Sequence, residues 1–242
     1  MTDQVAKPRA YAQDDPAMPE EYRRFLIKLL KYGHVENNGN AEYRRLLGRI
    51  AEAGFAFAPD ARSLMIEAEI VHQEAQHGHI VAELVRGLGE DPEMDEPLKQ
   101  YLFYIPMKSW VDLAWFHGIG DRVGLYVGVE WVGSTYEPLA KAAPVLEKEE
   151  HFHATTGLNY IRDLCKTPDG KKAAQDSLHQ WWPAVLDMFG KSNSKNSETY
   201  VKWGIKSHSN ADLRQKYIAE TVPRLEALEL DVPDHLANRR FL

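Results

Sequence analysis

Two short stretches of the sequence place a glutamate three residues before a histidine. Glu74 precedes His77, and Glu150 precedes His153. On a helix, residues with this spacing are neighbours on one face, with Cβ atoms about 5–6 Å apart. One metal ion could therefore be held by both side chains without bending the backbone. Two such turns on facing helices predict two metal ions, with one histidine at each.

A dinuclear site also needs carboxylates from two further helices. Glu36 follows Leu29 by seven residues and Gly33 by three, which places it on the same predicted helical stripe. Asp121 stands seven residues before Gly128 on the predicted third helix. The predicted metal ligands, which would also carry any catalysis through the metal, are therefore Glu36, Glu74, His77, Asp121, Glu150 and His153.

Two other acids are excluded from this set by their positions. Glu130 follows Asp121 by nine residues, which at about 100° per residue puts it on the opposite face of the helix. Glu67 shares a face with Glu74 but lies about 10.5 Å away along the helix axis. His117 is predicted either to support Asp121 or to line the pocket. The remaining nearby histidines are predicted to point away from the site: His34, His72, His79 and His151.

An isolated Glu-x-x-His pattern usually marks nothing more than a solvated helix face. Here both patterns lie on apolar stripes, beside the small residues Gly78 and Gly157. An ionised carboxylate on such a face is costly unless it is paired or bound to metal, so metal binding is favoured. Carboxylate and imidazole ligands without thiolate are typical of iron or manganese rather than structural zinc. We predict two iron ions, with manganese as the alternative at one or both positions.

The elements that must position these residues are predicted to be helices. Apolar residues recur at spacings of three and four, and no alternating strand pattern is bounded by hairpin turns. The pattern therefore predicts an all-α fold: a ferritin-like four-helix bundle with additional C-terminal helices. The long helices are predicted to begin near Pro19, after Asp60, near Ser109 and after Thr135, with shorter helices over 171–189 and 209–228. Pro144 is expected to kink or delay the fourth, 167–170 to close it, and 193–197 to form a loop.

Composition and charge limit the classes of partner. The net charge is −7 without a basic block, which argues against nucleic acid and anionic membrane surfaces. No apolar run approaches the ~20 residues of a spanning helix, and residues 1–18 lack the apolar segment of a signal peptide. Cys165 is the only cysteine, so a reducing, cytoplasmic location is expected. We predict a flexible segment over 1–18, one domain over 19–235 and a tail over 236–242.

On these same residues the chain resembles the catalytic subunits of the phenylacetyl-CoA epoxidase (ring-1,2-oxygenase) family. The similarity to benzoyl-CoA epoxidase is more distant. The segments that carry the resemblance around the site are 34–36, 73–78, 109–112 with Asp121, 136–138 and 148–153. Segments 181–190, 210–215 and 221–234 are also similar, so the resemblance extends from about residue 20 to 235.

The resemblance implies a di-iron monooxygenase that activates O₂ and transfers one oxygen atom to the ring of an aryl-CoA thioester. It also implies a reductase that supplies electrons, and either a homo-oligomer or a helical sister subunit. The six predicted ligands occupy the family's ligand positions, with Asp121 favoured over Glu130. Two residues depart from the family pattern: Gln73 stands where an acid is expected, and Ile70 where the phenylacetyl-CoA enzymes carry a lysine.

Two other functions are compatible with the same residues. One is a stand-alone di-iron oxidase or hydroxylase acting on a smaller substrate that is not a CoA thioester. The other is a non-catalytic metal-binding protein, either an iron-handling relative of ferritin or a scaffold subunit. A scaffold subunit would be expected to lose ligands, whereas all six are present. A ferritin role predicts a cage-like oligomer.

Overall fold

The computed structural model describes residues 9–33 and 36–240, and the regular elements in these two ranges are all helical. The α-helices are α1 (Glu20–Lys28), α2 (Ala41–Phe57), α3 (Ala61–Gly87), α4 (Trp110–Trp115), α5 (Arg122–Val132), α6 (Glu137–Leu164), α7 (Pro168–Met188), α8 (Lys195–Lys202) and α9 (Asn210–Glu226). Two π-helical segments, Leu29–Gly33 and Phe116–Asp121, and a 3-10 turn, Tyr101–Tyr104, complete them.

These helices form a four-helix bundle in which two members are interrupted. The first member is α1, its π segment and α2, the second is α3, the third is α4, its π segment and α5, and the fourth is α6. Helix α6 packs along all parts of the third member, and α2 packs along α3. Helices α7 to α9 cover the bundle, with α7 against α4 and α9 against α5. The predicted all-α, ferritin-like bundle with additional C-terminal helices is confirmed.

The helix starts follow from capping side chains. Asp60 accepts a hydrogen bond from the amide of Ser63 at 2.7 Å and caps α3, and Ser109 caps α4 by accepting from the amide of Asp112. Such caps satisfy amides that have no partner inside the helix. The predicted starts after Asp60 and near Ser109 are therefore confirmed.

The boundaries of the fourth helix agree in part with the prediction. Helix α6 begins at Glu137, so Pro144 does not delay it, and it ends at Leu164, before the predicted closing segment 167–170; the kink expected as the alternative at Pro144 stays a prediction. The closing segment is short, because the Thr167 side chain caps α7 and Pro168 occupies the first turn, where a missing N–H costs nothing. The predicted loop at 193–197 is instead the start of α8, which is capped by Ser194.

The predicted helical stripe through Glu36 was also wrong. The buried residues of α1 and its π segment are Tyr22, Leu26 and Leu30, and the π segment ends at Gly33, before Glu36. The buried face already differs from the predicted one within α1, at Tyr22 and Leu26. The π segment, with its wider i→i+5 turn, then changes the register again before Glu36. Glu36 is therefore presented by an irregular segment between α1 and α2.

Two clusters of buried apolar side chains stabilise the bundle. The larger contains three fully buried tryptophans, Trp115, Trp181 and Trp182, and joins α4 to α7. The smaller packs the first turns of α6 against α1 and α3, with Leu26, Val81 and others at its centre. In the described chain, none of the helices is both long and apolar enough to cross a membrane.

The N-terminal segment is partly paired with the bundle. The amide of Tyr11 donates to the carbonyl of Thr135 at 2.7 Å, and the amide of Glu137 donates to the carbonyl of Tyr11 at 3.0 Å. The rest of the predicted flexible segment at 1–8, together with His34 and the last two residues of the predicted tail, lies outside the described residues.

Candidate metal centre

The bundle brings all six predicted ligands together. Their ligand atoms form two overlapping groups, in each of which all atoms lie within 4.8 Å of one another. Glu74 belongs to both groups, as a bridging carboxylate between two metal ions would. The first group contains Glu36, Glu74, His77 and Glu150, and the second contains Glu74, Asp121 and His153.

The two histidines face the glutamates of the opposite helix. His77 Nδ1 lies 3.3 Å from Glu150 Oε1, and His153 Nδ1 lies 3.2 Å from Glu74 Oε1. The two ring centroids are 5.7 Å apart. Glu74 and His77 share a group, as their spacing predicts, whereas Glu150 shares a group with His77 rather than with His153. The two motifs are therefore interleaved across the contact between α3 and α6.

The outward nitrogen of each ring is held by a polar residue. His77 Nε2 lies 2.8 Å from Glu149 Oε2, and His153 Nε2 lies 2.9 Å from Gln73 Oε1. Because these partners are hydrogen-bond acceptors, each ring in its neutral form would keep its proton on Nε2 and direct the lone pair of Nδ1 inward. Both rings are thus prepared to bind a metal through Nδ1.

Several buried polar atoms of the centre have no hydrogen-bond partner among the described residues: His77 Nδ1, His153 Nδ1 and Glu150 Oε2. Leaving such atoms unsatisfied costs about 1–3 kcal/mol each. Metal ions would satisfy all three, and a donor set of carboxylates and imidazoles suits iron or manganese. Cys165, the single thiol, belongs to neither group. The residues present therefore fit a dinuclear metal centre.

Burial and the clustered acids shift the pKa values of His77 and Glu150. Burial by itself lowers the pKa of His77, but the nearby carboxylates of Glu150, Glu36 and Glu74 outweigh it and raise the pKa to about 11. Burial raises the pKa of Glu150 well above its ordinary value, and the other carboxylates add to this although His77 opposes it. Clustered buried carboxylates cannot all remain ionised without cations. Cations bound in the centre would therefore stabilise the ionised carboxylates.

Asp121 is oriented by a fully buried histidine. His117 Nδ1 lies 2.5 Å from Asp121 Oδ2, and His117 Nε2 lies 3.0 Å from Glu67 Oε2. Burial lowers the pKa of His117, but the two carboxylates outweigh it and raise the pKa well above its usual value. The imidazolium thus neutralises two buried acids. His117 and Asp121 both lie on the π segment, and such segments are frequent at functional sites.

Glu36 is positioned by the irregular segment that follows the first π segment. The side-chain amide of Asn38 donates to the carbonyl of Ala75 at 2.7 Å, and its backbone amide donates to the carbonyl of Gly78 at 3.0 Å. These bonds attach the segment to α3 at the level of the Glu-x-x-His turn. Glu36 is thereby brought 3.7 Å from His77 Nδ1.

Two close approaches depend on glycine. A Cβ at Gly157 would meet the backbone nitrogen of Gly118 at 2.1 Å, so glycine at this position lets α6 lie directly against the second π segment. A Cβ at Gly124 would meet Glu150 Oε2 at 2.5 Å. The carboxylate of Glu150 therefore occupies the space that a side chain at residue 124 would fill.

A small cavity of about 80 Å³ adjoins the centre. Four of the six candidate ligands, all carboxylates, contribute to its wall, and the remaining wall is mainly apolar. Its apolar lining includes Leu46, Ile50, Phe103, Phe116 and Val123. The space next to the carboxylates therefore suits a small hydrophobic group.

A second cavity of about 350 Å³ lies beside the first. The two share the lining residues Gly33, Gln100, Val127 and Met188. The larger cavity is more polar, and its lining includes three lysines, Lys99, Lys191 and Lys206, together with the acids Glu130 and Asp187. An elongated molecule could thus place an apolar end beside the centre and an anionic end among the lysines.

Two residues around the centre were not predicted. Glu67 was excluded as a ligand on distance, and it is instead the fully buried partner of His117. No role was predicted for Glu149, whereas Gln73 was noted as standing where an acid would orient a ligand histidine. The missed signal is that Gln73 and Glu149 each stand immediately before the glutamate of their motif and face the histidine of the other one.

The residues excluded from the centre lie elsewhere in the structure. Glu130 is buried but accepts hydrogen bonds from the amides of Ser207 and His208, and it belongs to neither group. The prediction that the other histidines point away is confirmed for three of them, since His72, His79 and His151 are exposed.

Comparison with known proteins identifies related sequences. The profile of the family described as "Phenylacetic acid catabolic protein" matches residues 63–240. One of the subunits of the 1,2-phenylacetyl-CoA epoxidase from Escherichia coli (strain K12) is 31% identical over 229 residues, which cover 90% of this chain and 71% of that protein.

Proposed function

The chain belongs to the phenylacetic acid catabolic protein family, and on this premise we propose that it is the catalytic subunit of a di-iron monooxygenase. The proposed substrate is an aryl-CoA thioester such as phenylacetyl-CoA, to which one atom of O₂ is added as an epoxide or hydroxyl. The observation that carries the proposal is the pair of overlapping ligand groups, which share Glu74 and open on an apolar cavity.

The reaction balances only with external electrons. One substrate molecule, one O₂, two electrons and two protons give the oxygenated product and one water. When bound, the two iron ions would supply the redox chemistry that activates O₂. The electrons would come from a reductase, as the resemblance implies. The related protein is named as one subunit of its epoxidase, so partner subunits are part of the proposal.

The chain's own residues would hold the ions and shape the space around them. Glu74 would contribute to both positions, while Glu36, His77 and Glu150 would complete the first and Asp121 and His153 the second. Tyr43 is fully buried beside them. Its hydroxyl donates to the backbone carbonyl of Glu74 at 2.8 Å and lies 3.1 Å from Glu74 Oε2, so it contacts both ends of this glutamate. The apolar wall excludes water from the reacting face.

The two adjoining cavities support an aryl-CoA as the substrate. The aromatic ring would enter the small apolar cavity, and the phosphate-bearing carrier would lie in the larger one near Lys99, Lys191 and Lys206. Burial lowers the pKa of Lys206 to about 8, because its ammonium group is desolvated. A phosphate next to it would offset that desolvation.

The proposal is tested by turnover with a chemical reductant. The full chain is loaded anaerobically with ferrous iron, reduced, and mixed with O₂ and phenylacetyl-CoA, and the product is analysed by mass spectrometry. We expect a product that contains one atom from isotopically labelled O₂. Free phenylacetate, offered in parallel, should give no product.

Two controls make the result specific. The Glu150→Ala variant should give no product, whereas the Lys148→Ala variant, which alters an exposed residue of the same helix, should match the unaltered chain. Oxygenation of free phenylacetate but not of the thioester would favour the stand-alone hydroxylase. Binding of iron without oxygenation of either compound, together with a cage-like oligomer on a sizing column, would favour an iron-handling role.

A further inference from the structure

The two histidines of the candidate centre are held by different kinds of residue. Gln73 on α3 contacts His153 on α6 at 2.9 Å, and Glu149 on α6 contacts His77 on α3 at 2.8 Å. The two contacts are equivalent in position, because each is made by the residue immediately before a motif glutamate. They differ in chemistry, because one acceptor is a neutral amide and the other is a carboxylate.

This difference changes what each ring offers to a metal. An acceptor on the outer nitrogen fixes the tautomer and the ring orientation, and an anionic acceptor also makes the ring a stronger donor. Gln73 is oriented by Glu69, to which its side-chain nitrogen donates at 2.7 Å, so Gln73 Oε1 accepts from His153. Both rings are therefore aligned, but only His77 receives negative charge.

The two ligand groups also differ in their number of carboxylates, and the difference again favours the His77 position. The group around His77 contains three of them, Glu36, Glu74 and Glu150, whereas the group around His153 contains two, Glu74 and Asp121. One oxygen of Asp121 is also engaged by His117 at 2.5 Å, which reduces its strength as a ligand. Both observations leave less negative charge at the His153 position.

Building on the dinuclear centre proposed above, we infer that the two metal positions are inequivalent and that Gln73 weakens the His153 position. The His77 position is filled first and emptied last. Removal of such outer partners typically changes metal affinity about 10–100-fold, so two binding steps separated by about this factor are expected. Gln73 acts as a positioning residue, since it contacts the ligand and not the metal.

The test is a titration of the metal-free full chain with cobalt(II) alone. Calorimetry measures the binding steps, and visible absorption reports the coordination of the cobalt. The unaltered chain should bind two ions in two resolved steps. The Gln73→Glu variant should strengthen the second step about 10-fold and leave the first unchanged. The matched Glu149→Gln variant should weaken the first step, so that the two steps approach each other.

Two variants that each lack one histidine show which binding step belongs to which metal position. The His153→Ala variant should retain the tight step, and the His77→Ala variant should lose it. Two equal steps in the unaltered chain would overturn the inequivalence and leave the dinuclear centre standing. A Gln73→Glu variant with altered melting of the metal-free protein but unaltered affinities would show a merely structural role and overturn the assignment of Gln73. Failure to bind either cobalt or ferrous iron would overturn the centre itself.

Discussion

The substitution Gly124→Ala should weaken metal binding while leaving the fold intact. The added methyl group would lie 2.5 Å from Glu150 Oε2, 2.6 Å from Cδ and 2.9 Å from Cγ. These atoms form the end of a flexible side chain, so the carboxylate can rotate away without a backbone shift. The fold is then preserved, but Glu150 can no longer occupy the position in which it faces His77.

The effect of this substitution on stability and its effect on metal binding should therefore diverge. In a helix, alanine is favoured over glycine by about 1 kcal/mol, which offsets part of the ~1–3 kcal/mol that overpacking costs. The free energy of unfolding of the metal-free protein should change by no more than about 2 kcal/mol. Metal affinity should fall about 10–100-fold, which is about 1.4–2.8 kcal/mol of binding free energy.

The assay combines chemical denaturation of the metal-free protein with anaerobic titration by ferrous iron against a competing chelator. The Gly128→Ala variant on the same helix is the matched control, because a Cβ there meets nothing within 4 Å. It should bind metal like the unaltered chain and be equally or more stable. If Gly124→Ala bound two ions with unaltered affinity, Glu150 would not be a ligand in the position described.

Three further predictions concern the surroundings of the centre. Replacing His117 with Ala leaves Glu67 and Asp121 as buried acids without their partner, and should lower the free energy of unfolding by about 3–5 kcal/mol; a loss below about 1 kcal/mol in denaturation would contradict the buried ion cluster. The pKa of His77 is raised to about 11, so this ring is protonated at neutral pH in the metal-free protein, and metal uptake should release protons and strengthen as pH rises. Calorimetry in buffers with different ionisation heats measures that release, and a heat independent of buffer would contradict it. Replacing Val127, which lines both cavities, with Phe should weaken aryl-CoA binding while leaving metal content unaltered, as equilibrium dialysis and elemental analysis would show.

Much of the fold could be predicted because local signals agree with tertiary packing. The caps at Asp60 and Ser109 satisfy helix amides by means of adjacent residues, so they are visible in the sequence. The interruption near Glu36 could not be predicted in detail. Its π segment changes the turn by one residue, and the hydrogen bonds that hold the following segment come from α3, which is distant along the chain.

Four of the six candidate ligands could be chosen from sequence because the i, i+3 spacing places a glutamate and a histidine on the same helix face. The grouping of those ligands could not, because it depends on how α3 lies against α6. The residues that contact the candidate ligands also could not be predicted from the spacing within one helix. Glu67 was excluded as a ligand by its distance along α3, but its contact with His117 on another helix was not predicted. Spacing within one helix carries no information about that contact.

The most direct test of the central claim is the iron content per chain after anaerobic loading with ferrous iron and desalting, in the unaltered chain and in Glu74→Ala. Because Glu74 belongs to both ligand groups, its removal should affect both positions together. The account predicts two iron ions per chain, and loss of both in the variant. An unaltered chain that retains no iron, or a Glu74→Ala variant that still holds two ions, would contradict the dinuclear centre.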